Sequence, residues 1–136
     1  MSREEDIQAV RQAMTDFGDA LGRGDYGAVL ELIDEDAVFW PDAAPETRGL
    51  EPIRAAYERM KGYRLSARFD IEEVLVSGDL ALVRGFEYFR LEPLAGGDAI
   101  GIDGRRAFAV WQRGAGGAWK NTRGMTNWPA PPSART

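Results

Sequence analysis

Apolar residues recur at steps of three and four through the first sixty positions and at steps of two after that, so the chain divides into a helical part and a strand part. Ile7, Val10, Met14, Phe17 and Leu21 form one stripe of an amphipathic helix. Ser2 and Glu5 open it as an S-x-x-E capping box, and Gly22 and Gly24 close it. Asp25 can cap a shorter second helix whose inner side is Val29, Leu30 and Ile33, with the acidic run Asp34, Glu35, Asp36 at its end. Ala37 to Trp40, cut off by Pro41, reads as a short strand. After a loop, Pro52 suits the first turn of a third helix with Ile53, Ala56, Tyr57 and Met60 on one side, running up to Gly62.

From Tyr63 the pattern alternates. Leu65, Ala67, Phe69 and Ile71 interleave with Arg64, Ser66, Arg68 and Asp70, as in a strand with one dry and one wet face. A turn at Ser77, Gly78 and Asp79 leads into a second strand from Leu80, a Gly-rich loop over 95–104 into a third at Arg105, and a Gly-rich turn over 114–117 into a fourth at Trp119. This order predicts an α+β fold, a curved antiparallel sheet wrapped around three helices. Residues 1–129 are expected to form a single domain, and the Pro-rich tail 130–136 to be disordered.

Composition narrows the chemistry. With 136 residues, 44% hydrophobic and 29% charged, the chain suits one core. Its apolar runs fall far short of the ~20 residues that cross a bilayer, and its first ten residues are charged, so a soluble, cytoplasmic protein with no membrane partner is expected. It contains neither Cys nor His. Thiolate nucleophiles, zinc sites and Ser-His triads are thereby excluded, and acid-base work falls to Asp, Glu or Tyr. A net charge of −5 with scattered basic residues argues against a nucleic-acid partner.

Four stretches carry a resemblance: Gly24-Asp25 before the second helix, Asp34 to Met60, "SGDLALVRG" from Ser77 to Gly85, and "AVWQRGAGGAWK" followed by "MTNW". Together they resemble the SnoaL-like branch of the NTF2-like superfamily, in particular the DUF4440 group. The resemblance implies a cone-shaped α+β barrel with an internal pocket, usually paired as a homodimer through its outer sheet face. It also implies a range of activities, from isomerases, cyclases, epoxide hydrolases and dehydratases to non-catalytic binders. Superfamily mechanisms that use His cannot apply here, and no aspartate follows Asp103 on the last two strands.

Strand parity then nominates the site. Alternation on the second strand sets Ala81, Val83, Gly85, Glu87 and Phe89 on one face, whose small residues would make room for a pocket, and the resemblance places its Ala81 on the concave side. Glu87 is the candidate acid-base residue. The same reasoning places Arg106 and Phe108 inward on the third strand, and Asn121, Arg123, Met125 and Asn127 inward on the fourth. Phe17, Trp40, Tyr57, Met60 and Phe69 complete the candidate ligand-binding set. Arg84, Phe86, Tyr88, Trp111 and Trp128 are left on the outer face, too aromatic for a wet surface and suited to a homodimer interface. Two readings stand: a small-molecule-binding protein acting as a cofactor-independent isomerase, cyclase, dehydratase or hydrolase on a small, partly apolar carbonyl or carboxylate compound, or a non-catalytic ligand-binding or dimeric interaction module in which a Glu–Arg ion pair is structural. Neither calls for a metal or cofactor.

Overall fold

The computed structural model of the chain describes residues 2–129. The expected disordered tail at 130–136 lies outside the described residues.

Helix α1, Arg3–Arg23, begins as its capping box requires, with the Ser2 hydroxyl accepting from the Glu5 amide. It ends at Gly24, whose φ of 71° is the left-handed C-cap conformation that glycine adopts without strain. Helix α2, Tyr26–Glu31, is capped by the Asp25 carboxylate on the Ala28 amide. Strand β1 is Ile33–Trp40, longer than the four residues expected. Ile33 and the acidic run belong to it and not to the helix, because the Asn121 amide already holds the Leu32 carbonyl and so starts the pairing there. A two-residue strand β2, Thr47–Arg48, folds back on β1 within the segment expected to be a loop. Helix α3, Glu51–Arg59, has Pro52 in its first turn.

The long strands are β3, Tyr63–Ser77; β4, Leu80–Pro93; β5, Ile100–Arg113; and β6, Trp119–Asn127. Strand β5 starts five residues before its expected start, taking in the second half of the Gly-rich stretch. All six strands form one curved, open sheet in the order β2-β1-β6-β5-β4-β3. Strands β3 to β6 are antiparallel as expected, whereas β1 joins β6 in parallel. The sheet wraps over the helices, with α1 packed chiefly along β3. No helix among the described residues is long and apolar enough to cross a membrane.

Register irregularities decide which side chains face the helices. Glu72 is the extra residue where β3 passes Arg84 and Gly85, so the dry face moves from Leu65, Ala67, Phe69 and Ile71 to Val74 and Val76. A second irregularity lies between Glu87 and Tyr88 of β4, opposite Gly104. A third lies at Thr122 of β6, opposite Val110 and Trp111.

Two clusters form the core. The deeper one joins Val10, Ala13 and Met14 of α1 to Val74, Ala81, Val83, Trp111 and Trp119. The other joins Ala20, Leu21, Val29, Ile33, Ala37 and Leu65. Fully buried Val10 and Val29 each contribute roughly 1.5–3 kcal/mol of transfer free energy. An ion cluster ties α1 to the β4–β5 end of the sheet. Arg113 donates to the buried Asp6 carboxylate at 2.6 Å, to Asp79 at 3.0 Å and to the Gly78 carbonyl at 3.1 Å.

Register also corrects the outer face. Trp111 pairs with Ala81 on the concave side and is 1% exposed at the centre of the deep cluster, so it cannot belong to an outer-face interface. The alternation argument failed because it put the bulky residues of β5 inward. The ladder instead sets Ala107 opposite Gly85 and Ala109 opposite Val83, with the small residues inside.

Candidate functional site

The concave face of the sheet does not close on the helices. Between α1, α3 and strands β1 and β3 to β6 lies a cavity of about 420 Å³, within the range that holds small organic molecules. Its existence follows from small residues in the right places. Gly85, Ala107, Ala109 and Gly124 share the inner face, and a Cβ on Gly124 would already lie 3.1 Å from the Phe39 ring. The walls are apolar: Met14, Phe17 and Leu21 from α1, Ile53, Tyr57 and Met60 from α3, and Leu65, Phe69, Phe89 and Ile102 from the sheet. Phe69 meets both Phe17 and Phe89 edge to face, at centroid distances of 5.9 and 6.0 Å, which fixes this wall.

Within that apolar lining sits one ion pair. Glu87 is 6% exposed, flanked by Phe69 on β3 and Arg105 on β5. The Arg105 Nε donates to Glu87 Oε1 at 2.5 Å, and the Arg105 side chain is 20% exposed. Arg105 alternates inward with Ala107, Ala109 and Trp111 along an unbroken register, and the irregularity at Gly104, whose φ is 75°, lets Ile102 face the cavity beside it. Burial raises the Glu87 carboxyl above its ordinary value, and the positive charge and hydrogen bond of Arg105 pull it partly back. A carboxyl so placed can exchange a proton nearer neutrality than a surface glutamate. Among the described residues only Nε of Arg105 is committed, to Glu87, so its terminal nitrogens are available to an oxygen of a bound molecule.

Tyr57 stacks on Tyr26 at 4.6 Å, and burial pushes its phenol up, with a smaller contribution from Tyr26. It therefore meets the cavity as a neutral hydroxyl. Among the described residues no cluster of three acidic side chains could hold a metal ion.

Of the candidate ligand-binding set, Phe17, Tyr57, Met60, Phe69, Phe89 and Asn121 line the cavity together with Glu87. Trp40, Phe108 and Met125 border it but are 58%, 42% and 41% exposed. They stand in one row across β1, β6 and β5, because Met125 pairs with both the others. Arg106, Arg123 and Asn127 do not reach the cavity. Arg106 pairs with Phe86 and Asn127 and donates to the Asn127 amide oxygen at 2.8 Å on the convex side. Arg123 bonds the carbonyls of Asp36 and Thr122. The irregularity at Thr122 is the physical reason, since it leaves Asn121 inside and turns Arg123 and Asn127 out. Alternation missed Arg105, which the same argument from small residues, applied to Ala107 and Ala109, would have found.

Comparison with known proteins places the chain. The family model described as a SnoaL-like domain matches residues 14–126. A conserved protein from Planctomyces limnophilus superposes with a TM-score of 0.84 at 23% identity, over 90% of this chain and 95% of that one. An NTF2-like superfamily protein from Salmonella enterica gives 0.83 at 15% identity, over 98% and 97%. A ketosteroid isomerase-like protein from Erwinia carotovora gives 0.74 at 21% identity, over 93% and 98%. At such identities these likenesses establish the NTF2-like fold and not an activity. No curated protein matches the chain.

Proposed function

We infer that this chain, which belongs to the SnoaL-like domain family, binds a small, mostly apolar carbonyl or carboxylate compound in its cavity, where Glu87 moves a proton without a cofactor. The observation that carries this reading is a buried carboxyl, held at one oxygen by a single arginine nitrogen, on the wall of an apolar cavity. Arg105 would receive the ligand's oxygen and stabilise negative charge that develops on it, while Glu87 removes a proton from the adjacent carbon and returns it elsewhere. Proton transfer of this kind underlies isomerisation, cyclisation and dehydration alike. The likeness to a ketosteroid isomerase-like protein supports the same class of chemistry at the level of fold.

The test is proton exchange. A panel of cyclic and aryl ketones in deuterated buffer is followed by NMR for loss of the α-proton signal, with wild type, Glu87→Gln and Arg105→Gln. At least one ketone should exchange above the buffer rate with wild type, and Glu87→Gln should slow it by ~10²- to 10⁴-fold. Exchange that Glu87→Gln leaves unchanged sinks the catalytic role. Ketones that bind without exchanging would support the second reading, a binding module with a structural ion pair.

We propose, further, that the convex face pairs with a second copy of the chain. The row of Trp40, Met125 and Phe108 is exposed, Leu82 and Trp128 are exposed as well, and Arg84, Phe86 and Tyr88 share that face, the mix of aromatics and arginine that interfaces favour. A sedimentation mass of one chain at micromolar concentration would refute it.

A further inference from the structure

The ion pair does not account for the inner end of the cavity. Asn121 lines it, pairing with Trp111 on one side and Ile33 on the other, beside the deep core cluster. Its backbone amide is used by the Leu32 carbonyl. Its side chain is different: the residue is 92% buried, yet no side-chain hydrogen bond among the described residues involves its amide, while neighbouring Thr122 and Arg123 bond each other. Its amide atoms are not fully enclosed, unlike the indole nitrogens of Trp111 and Trp119, which are sealed without partners among the described residues. A carboxamide carries two donors and an acceptor, and natural cores rarely leave such a group dry and unpaired. A leucine would fill the same position at lower cost were the position only structural.

We propose that Asn121 is a second recognition point, which takes a hydroxyl or carbonyl group at the inner end of the bound molecule. The ligand is then polar at both ends: an acid or carbonyl oxygen at Arg105, an apolar body against the phenylalanines, and a neutral hydrogen-bonding group at Asn121. The two points lie six residues apart along β5, from Arg105 to Trp111, the partner of Asn121, so the molecule is elongated and not a single small ring. This inference rests on the reading that the cavity binds through Arg105, and deepens it by naming the far end of the ligand.

Phenylalkanoic acids from propanoate to hexanoate provide the test, each compared with its para-hydroxylated counterpart by titration calorimetry against wild type, Asn121→Leu, Asn121→Ala and Arg105→Gln. Wild type should bind at least one hydroxylated acid about fivefold more tightly than its parent, the worth of one hydrogen bond between neutral groups. Both Asn121 variants should lose that preference and keep the affinity for the parent acid, whereas Arg105→Gln should weaken both members alike. Asn121→Leu should also raise the melting temperature of the ligand-free protein. The proposal is overturned if no pair shows a preference, if the preference survives both Asn121 variants, or if Asn121→Leu lowers the melting temperature. If no acid binds wild type at all, the reading of Arg105 falls and the Asn121 anchor falls with it.

Discussion

Gly85→Ala is expected to damage the fold more than any other single methyl group on the concave face. Gly85 lies on β4 beside the extra residue of β3, opposite Ile71. A Cβ built there would lie 2.3 Å from the Asp70 carbonyl oxygen and 3.0 Å from the Ile71 Cα. Both are backbone atoms, so no side-chain rotation relieves the contact. Restoring an ordinary separation requires β3 to retreat by about 1 Å, which forfeits one or two ladder hydrogen bonds at about 1 kcal/mol each, on top of about 1–3 kcal/mol for overpacking. The sum, about 2–5 kcal/mol, is a large share of the ~5–15 kcal/mol that holds a domain together. Urea unfolding followed by the fluorescence of the buried Trp111 and Trp119 should show the midpoint falling by about 1–2.5 M, taking a slope of about 2 kcal/mol per M. Gly62→Ala is the control: nothing lies within 4 Å of its added Cβ, and it should stay within about 0.5 kcal/mol of wild type. A Gly85→Ala midpoint within about 0.5 M of wild type would refute the argument that the β3 backbone leaves no room for a side chain at Gly85.

Three further predictions follow from charges. Because burial raises the Glu87 carboxyl, the folded protein holds that proton to higher pH than the unfolded chain does, so stability falls as pH rises from 4.5 toward the raised folded value. Glu87→Gln should remove this slope, and chemical denaturation across pH 4 to 8 should show the variant gaining on wild type as pH increases; an unchanged difference would mean that Glu87 is not desolvated. Asp6→Ala should cost about 1–3 kcal/mol, because Asp6 is buried on Arg113, whereas Asp79→Ala, removing an exposed partner of the same arginine, should cost under about 1 kcal/mol. The reverse order in urea unfolding would show the α1 tether to be misread. Trp40→Phe removes the indole donor 2.6 Å from Glu46 and should move the Glu46 carboxyl, which that bond and Arg48 hold low, back toward 4.5 in an NMR titration.

Periodicity revealed the helices, the four long strands and the inner face of β4 because each of those signals lies within one element. Ile7 to Leu21 repeats on a helical stripe, and Ala81 to Phe89 alternates without interruption. The site depended on something no single strand encodes. Ile102 and Arg105 both face the cavity only because Gly104 takes a left-handed turn between two β5 segments, and Asn121 faces inward while Arg123 does not because Thr122 interrupts β6. Each such irregularity inverts every side chain beyond it, so one undetected residue misplaces a whole row. The composition of β5 held the remedy. A concave strand over a cavity needs small residues where its neighbours crowd, and Ala107 and Ala109 are the small ones, opposite Gly85 and Val83. Anchoring parity on them puts Arg105 and Trp111 inside together. The same demand for room explains why the polar groups are few and far apart: every inward side chain that is not small must fill wall or touch ligand. Glu87, Arg105 and Asn121 are the inward groups whose size and polarity packing alone does not justify.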